Sequence, residues 1–227
     1  MGTPSILLRW QQTPHDLADR LERGARMIKN IIFDMGNVLM RFDDMELAAR
    51  FVDNQEDQRL LCGHVFSGPE WIALDAGSID EEQALSSILS ALPERLHDAA
   101  ENVFLNWDRY FEPIQETNDY ARSLKQRGYQ LYLLSNASVR FARYRAQIPV
   151  YDCFDGVIVS AYVQQMKPDR AIYETLLSTY ELDPAECFFI DDREENIATA
   201  RACGMEGVVF TDPASLIRTL EARLRLF

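Results

Sequence analysis

The sequence predicts an α/β fold: a doubly wound parallel sheet with a helical cap inserted after its first strand. Short runs that are apolar at successive positions recur along the chain, as expected for strands buried on both faces of a parallel sheet. Helical patterns separate these runs, and alternation of this kind builds right-handed βαβ units. One long interval after the first run is helical in pattern and has no strand-like run, which predicts the insertion.

Five runs are predicted as strands because each is apolar and is followed by polar residues. They are 29–34, 129–135, 156–160, 187–191 and 207–210. Helices are predicted at 117–127, 169–180 and 194–203, and from Pro213 onward. Gly128 and Gly204 directly follow two of these helices, at the position where a glycine commonly ends a helix. The order of elements is that of a Rossmann-like sheet.

The helical interval separates the chain into three predicted parts. These are an appendage at 1–26, a core formed by 27–42 and 113–227, and a helical cap at 43–112. In the appendage, Thr13-Pro14 can begin a helix. A cap after the first strand would cover the carboxyl ends of the strands, where open α/β sheets bind ligands, and could exclude water from the site. The alternative is a helical layer with a structural role only.

Four cap residues are candidates for lining a substrate pocket. They are Trp71, Tyr110, Glu70 and Trp107. Aromatic residues at helical spacing more commonly belong to a core, so the pattern leaves both roles open.

Composition limits the classes of partner. The 227 residues include 23 Lys and Arg against 36 Asp and Glu, a formal net charge of −13. Such a charge argues against nucleic acid and against anionic membranes, and no apolar run approaches the ~18 residues of a membrane span. The four cysteines lack metal-type spacing, which is typical of a reduced, cytoplasmic protein. A phosphorylated substrate would need a divalent metal to offset this charge.

Polar residues stand at the ends of four predicted strands. They are Asp34 after the first, Ser135 and Asn136 after the second, Lys167 in the loop after the third, and Asp191 and Asp192 after the fourth. In a parallel sheet these ends meet at one edge. Clustered carboxylates favour a bound cation, and hard oxygen ligands favour Mg²⁺. A lysine, a hydroxyl and an amide can hold phosphoryl oxygens, and a carboxylate can form an aspartyl-phosphate. The pattern therefore predicts Mg²⁺-assisted phosphoryl transfer to an aspartate.

The segments FDMGNVL, LLSN, MKPD and FIDDREEN, which carry these residues, resemble the four motifs of the haloacid dehalogenase (HAD) superfamily. The helical insertion is similar to one cap type of that superfamily, and the resemblance extends from residue 27 to about 215. It implies that Asp34 is the nucleophile and a Mg²⁺ ligand. It further implies that the Gly36 backbone carbonyl and Asp192 are ligands, with Asp191 supporting the ion through water.

The same resemblance implies that Ser135 and Asn136 bind the phosphate and that Lys167 neutralises both the phosphate and Asp34. One position departs from the pattern. Phosphatases of the superfamily usually carry a second Asp two residues after the nucleophile, which protonates the leaving oxygen, and here that residue is Gly36. Loss of a general acid costs ~10²–10⁴-fold in rate and matters least for a good leaving group.

The FDxGNV form is similar to a subgroup of α-D-glucose-1-phosphate phosphatases, and an anomeric sugar phosphate has a good leaving group. The predicted substrate is therefore a small phosphorylated metabolite, such as a sugar 1-phosphate. The alternatives are a haloacid dehalogenase, in which Asp34 displaces halide without metal, and a phosphate- or partner-binding relic disabled by Gly36. A sugar-phosphate mutase would need an acid at Gly36. A receiver domain is excluded because Lys167 precedes Asp191. The oligomeric state is left open.

Overall fold

The computed structural model describes residues 27–224, and its elements are as follows in chain order. The strands are β1 (Asn30–Phe33), β2 (Met40–Arg41), β3 (Glu112–Pro113), β4 (Gln130–Ser135), β5 (Gly156–Val159), β6 (Cys187–Asp191) and β7 (Glu206–Val209). The helices are α1 (Asp44–Ala49), α2 (Gln55–Leu61), α3 (Pro69–Asp75), α4 (Glu81–Ala91), α5 (His97–Asn106), α6 (Gln115–Gln126), α7 (Phe141–Tyr144), α8 (Ser160–Val163), α9 (Arg170–Thr179), α10 (Glu194–Ala202) and α11 (Pro213–Leu224). Short 3₁₀ turns and one π turn, at Cys62–Phe66, connect some of them.

A five-stranded parallel sheet in the order β5-β4-β1-β6-β7 forms the centre of the molecule. The predicted doubly wound sheet is confirmed, and the predicted bounds of its strands and flanking helices differ from the observed ones by at most two residues. Strand β1 lies in the middle, with Ile31 opposite Leu131 of β4 and Phe188 of β6. Asp34, which follows β1, therefore lies at the middle of the sheet edge that is formed by the carboxyl ends of the strands.

Alternating side chains of the strands enter two separate apolar cores, one on each face of the sheet. On one face Ile31 and Phe33 pack with residues of α6 and α11, including Leu124 and Leu220. On the other face Ile32 packs with residues of α9 and α10. Both faces of β1 are fully buried, which explains why its sequence is continuously apolar rather than alternating.

Five helices, α1 to α5, lie between β2 and β3, which pair antiparallel with Met40 opposite Pro113. The chain therefore leaves and re-enters the sheet region at adjacent points. Asn118 ties this crossing to the core, because its Nδ2 donates to the Leu39 carbonyl at 2.8 Å. The predicted cap bounds at 43 and 112 fall beside this strand pair, and the division into cap and core remains a prediction.

Polar side chains cap the N-termini of helices in the insertion. Asp43 caps α1 by accepting a hydrogen bond from the Glu46 backbone N–H at 2.9 Å. At α4, Asp80 and Gln83 form a reciprocal capping box. These contacts satisfy backbone donors that a helix start leaves without partners.

The appendage predicted at 1–26, with its Thr13-Pro14 helix start, lies outside the described residues. Within residues 27–224, the helices are all too short or too polar to cross a membrane.

Candidate active site

The residues predicted to meet at the strand ends surround one open cavity of about 170 Å³. Those that line it are Asp34, Gly36, Ser135, Asn136, Lys167 and Asp192. Asp191 is fully buried directly behind Lys167, at 0% exposure. The convergence follows from topology, because β1, β4 and β6 are parallel neighbours whose carboxyl ends lie side by side.

Lys167 connects two of the carboxylates. Its Nζ lies 2.8 Å from Asp34 Oδ1 and 2.7 Å from Asp191 Oδ2. The residue is only 4% exposed, and a buried ammonium requires charged partners of this kind. Burial alone would lower the Lys167 pKa, but the charges of Asp34 and Asp191 outweigh it and raise the pKa above its ordinary value. Lys167 therefore stays protonated and holds a positive charge beside Asp34.

Asn136 fixes the backbone of Lys167. Its Nδ2 donates to the Lys167 carbonyl at 2.8 Å, and the Lys167 N–H donates to its Oδ1 at 2.9 Å. Both polar ends of the amide thus have backbone partners. The predicted contact of Asn136 with phosphate stays a prediction, while the structure shows a positioning contact with the loop that carries Lys167.

Ser135 is the last residue of β4 and lines the cavity with almost no exposed surface. Its Oγ lies 3.4 Å from the Asn136 carbonyl, which is long for an O–H···O hydrogen bond. The hydroxyl is therefore available to donate to an oxygen in the cavity.

Three carboxylates form the acidic part of the site. Asp34, Asp191 and Asp192 each offer an oxygen, and the three oxygens lie within 4.8 Å of one another. The Asp191 carboxylate already accepts from Lys167, from the Arg193 N–H at 2.9 Å and from Asn196 Nδ2 at 2.8 Å. It is better placed to support an ion through water than to bind it directly.

The charges of this cluster are not balanced by Lys167. Burial raises the Asp34 pKa to about 7, with Lys167 opposing the rise and Asp191 adding to it. Burial and the Asp191 charge also raise the pKa of Asp192, whose Oδ2 accepts a long hydrogen bond, 3.4 Å, from Asn37 Nδ2. Hard carboxylate oxygens with uncompensated charge fit a Mg²⁺ ion bound by Asp34 and Asp192.

Gly36 also lines the cavity, and its position is open. A Cβ built on Gly36 would meet no atom within 4 Å. Steric crowding therefore does not explain the lack of a carboxyl side chain at this position.

Aromatic rings form another part of the lining of the cavity. They are Phe42, Trp71, Trp107, Phe111 and Tyr144. The rings are in mutual contact; the Trp71 and Trp107 centroids, for example, lie 5.2 Å apart. Of the four cap residues considered from the sequence, Trp71 and Trp107 line the cavity. Tyr110 instead lies under the Arg50 guanidinium, 5.1 Å from its ring centroid, and Glu70 is not among the lining residues.

Asp75 lines the cavity and was missed by the sequence reasoning. It is the last residue of α3 and is 9% exposed. Burial and the nearby Asp34 raise its pKa to about 7, while the Ser138 N–H opposes the rise. A signal was present, because Asp75 lies four residues after Trp71 and thus on the same helical face.

Comparison with known proteins identifies the family of the chain. The family model of the haloacid dehalogenase-like hydrolases matches residues 28–204. A sesquiterpene phosphatase, astK, from Aspergillus oryzae is 30% identical over 196 residues, which cover 86% of this chain and 95% of that protein. A D-ribitol-5-phosphate phosphatase from Bacteroides thetaiotaomicron is 24% identical over 194 residues, covering 79% and 90% of the two chains.

A solved structure has the same fold. It is a HAD family enzyme from Bacteroides thetaiotaomicron in complex with magnesium and inorganic phosphate. The TM-score is 0.62 at 22% identity, and the match covers 82% of this chain and 95% of that one.

Proposed function

The chain belongs to the haloacid dehalogenase-like hydrolases, and from this premise we propose that it is a Mg²⁺-dependent phosphatase that cleaves a small phosphomonoester through a phosphorylated Asp34. One observation carries the proposal. The Lys167 ammonium lies 2.8 Å from Asp34 Oδ1, in a cavity that Asp192 and Ser135 also line. A nucleophile, a phosphate-binding cation and two ligands of a divalent ion are thus within reach of one phosphoryl group.

In the first half of the reaction, an Asp34 carboxylate oxygen attacks phosphorus and the ester oxygen leaves. Lys167 keeps Asp34 oriented and offers positive charge to the phosphoryl oxygens, and the Ser135 hydroxyl donates to another. In the second half, water attacks the phosphorus of phospho-Asp34, which releases inorganic phosphate and restores the carboxylate. Mg²⁺ bound by Asp34, Asp192 and the Gly36 carbonyl would neutralise charge on the transferring group.

The acidic cluster favours a phosphatase over a dehalogenase. A dehalogenase would use Asp34 to displace halide without a metal ion, and the additional Asp192 carboxylate would then only repel the nucleophile. Burial and the neighbouring Asp191 charge raise the pKa of Asp192, and a bound cation would offset both effects. Two of the relatives compared above are also named as phosphatases.

The aromatic side of the cavity favours a leaving group with an apolar face. The rings outnumber the polar side chains near them, which are Asp75 and Ser138, whereas a sugar would need several hydrogen-bond partners for its hydroxyls. We therefore rank the phosphate ester of a short apolar alcohol as the first candidate substrate. The similarity to a sesquiterpene phosphatase supports this ranking. The sugar 1-phosphate predicted from the sequence remains the second candidate, because sugar rings also stack on aromatic side chains.

The test is a substrate panel with and without Mg²⁺. It contains p-nitrophenyl phosphate, a short prenyl phosphate, an aldose 1-phosphate and a haloacid. We expect phosphate release that requires Mg²⁺, no halide release, and loss of turnover in Asp34→Asn. Halide release without metal would support a dehalogenase. If phosphate release by the wild type does not exceed the background of Asp34→Asn, with or without Mg²⁺, the protein would be a non-catalytic relic.

A further inference from the structure

The proposed reaction requires a proton for the leaving oxygen, and Gly36 cannot supply it. Among the described residues that line the cavity, three carry carboxyl groups: Asp34, Asp75 and Asp192. Asp34 and Asp192 already serve as nucleophile and metal ligand. Asp75 is the remaining carboxyl.

Asp75 enters the cavity from the insertion, whereas Asp34 enters from the end of β1. Phosphoryl transfer proceeds with the attacking and leaving oxygens roughly in line, so the leaving oxygen lies on the side of phosphorus away from Asp34. The insertion contributes Trp71, Asp75 and Trp107 to the lining of the cavity. Asp75 therefore reaches the cavity from a different part of the chain than the nucleophile, as the donor of a proton to an in-line leaving oxygen must.

The backbone of Asp75 is held in place by the core. The buried Ser160 hydroxyl donates to the Asp75 carbonyl at 2.5 Å and accepts from the Ala137 N–H at 2.9 Å. Two residues later the chain passes against α8 so closely that a Cβ on Gly77 would lie 2.6 Å from the Ala161 carbonyl oxygen. The Asp75 carboxyl is therefore presented from a fixed point of the insertion rather than from a loose loop.

We propose that Asp75 is the general acid and base of this phosphatase, in place of the carboxyl that Gly36 lacks; the proposal rests on the function proposed above. As Asp34 bonds to phosphorus and the ester P–O bond breaks, the Asp75 carboxylic acid gives its proton to the leaving alcohol oxygen. The Asp75 carboxylate then takes a proton from the water that attacks phospho-Asp34. The products are the alcohol and inorganic phosphate, with both side chains restored.

The protonation state of Asp75 is compatible with this role. Burial of the side chain is the largest cause of its raised pKa, about 7, and this burial is a property of Asp75 itself. Tyr144 also lines the cavity and has a hydroxyl proton, but burial raises its pKa far above the ordinary value of a tyrosine. A general acid works best with a pKa near the operating pH, which favours the carboxyl.

Leaving groups of different basicity provide the test. An alkoxide needs a proton as it departs, whereas p-nitrophenolate departs readily without one. We expect Asp75→Asn to lower kcat/KM for an alkyl phosphate by ~10²–10⁴-fold and for p-nitrophenyl phosphate by less than about tenfold. A purely structural role of Asp75 would lower both values equally, and that result would overturn the proposal.

Asp57→Asn is the matched control, because Asp57 is an equally buried carboxylate of the insertion, 9% exposed, that pairs with Arg95 outside the cavity. We expect Asp57→Asn to change kcat/KM by the same factor for the alkyl phosphate and for p-nitrophenyl phosphate. Tyr144→Phe tests the competing donor, and a selective loss with the alkyl ester in that variant would contradict the proposal.

If Asp75→Asn does not fold, the wild type provides the test. Its kcat/KM should depend only weakly on the basicity of the leaving group, and a steep dependence would show that no general acid protonates the leaving oxygen. Failure of Mg²⁺-dependent turnover in the wild type would instead overturn the proposed function.

Discussion

Asn136 acts on the site through the backbone of Lys167, and this contact is testable at the scale of one residue. Asn136→Ala removes two hydrogen bonds of a partly buried amide, so we expect a loss of about 1–3 kcal/mol in the free energy of unfolding and a lower kcat. Denaturant unfolding and steady-state kinetics measure the two effects. Asn106→Ala, which removes hydrogen bonds to Asn102 within α5, serves as control; Asn106 is not among the residues that line the cavity, so kcat should be unchanged. Unaltered kcat in Asn136→Ala would contradict the positioning role.

The pH dependence of alkyl phosphate cleavage reports on Asp75. A proton donor is active in its acid form, so an Asp75 pKa of about 7 predicts a decline of this kcat/KM as the pH rises above 7, whereas ionisation of the nucleophile Asp34 gives an increase as the pH rises toward 7. The groups facing Asp75 are Asp34 from the end of β1, the Ser138 N–H and Tyr144 of α7, with Arg140 and Glu81 in the adjoining depression.

The change between variants isolates Asp75 from the other groups that titrate. We expect Asp75→Asn to lose the decline at high pH, whereas Asp57→Asn should keep it. An identical pH profile in wild type and Asp75→Asn would show that the decline belongs to another group.

The sequence predicted the residues at the strand ends because a parallel sheet brings its carboxyl ends together whatever the details of packing. The spacing from Trp71 places Asp75 on the same helical face, but the sequence cannot show that this face borders the cavity. The end of α3 is held there by a contact with α8, more than eighty residues away along the chain. The sequence also could not show that the Asn136 side-chain amide makes two hydrogen bonds with the backbone of Lys167.

At the scale of elements, the contact between the end of α3 and α8 should fix the insertion on the core. Gly77 has φ +67°, and a Cβ there would lie 2.6 Å from the Ala161 carbonyl oxygen. Gly77→Ala therefore adds an overlap with backbone to the strain of a left-handed conformation. We expect it to destabilise the protein by about 2–4 kcal/mol and to lower alkyl phosphate cleavage.

Gly128→Ala provides the control for the conformational part. Gly128 has φ +94° at the end of α6, but a Cβ there would meet no atom within 4 Å. We expect a loss of only about 1–2 kcal/mol from this change, with activity retained. Equal losses in the two variants, measured by denaturant unfolding, would refute a close contact at Gly77.

The long elements of the predicted core could be placed from the sequence, whereas the insertion was predicted only as helical and the shortest strands were not predicted. Each strand of the parallel sheet is an apolar run, and helix α6 only begins two residues before the predicted start. Strands β2 and β3 contain two residues each, and they are defined by pairing across the whole insertion rather than by a local pattern. Periodicity cannot detect such a pair.

At the scale of the whole molecule, the net charge of −13 and the acidic cluster predict that Mg²⁺ stabilises the fold. A ligand that binds only the folded state adds about 2.7 kcal/mol at one hundred times its Kd, which corresponds to a rise in Tm of roughly 5–10 °C for a chain of this size. Calorimetry with and without Mg²⁺ measures the rise. Asp192→Asn should reduce it, and an equal rise in that variant would place the ion elsewhere.

The phosphorylation of Asp34 is the most direct test of the account. The enzyme is mixed with p-nitrophenyl phosphate and Mg²⁺, quenched in acid within one turnover, digested and examined by mass spectrometry. We predict one added phosphoryl group on the peptide that contains Asp34, absent without Mg²⁺ and absent from Asp34→Asn. Rapid product formation with a phosphoryl group on another residue, or persisting in Asp34→Asn, would contradict it.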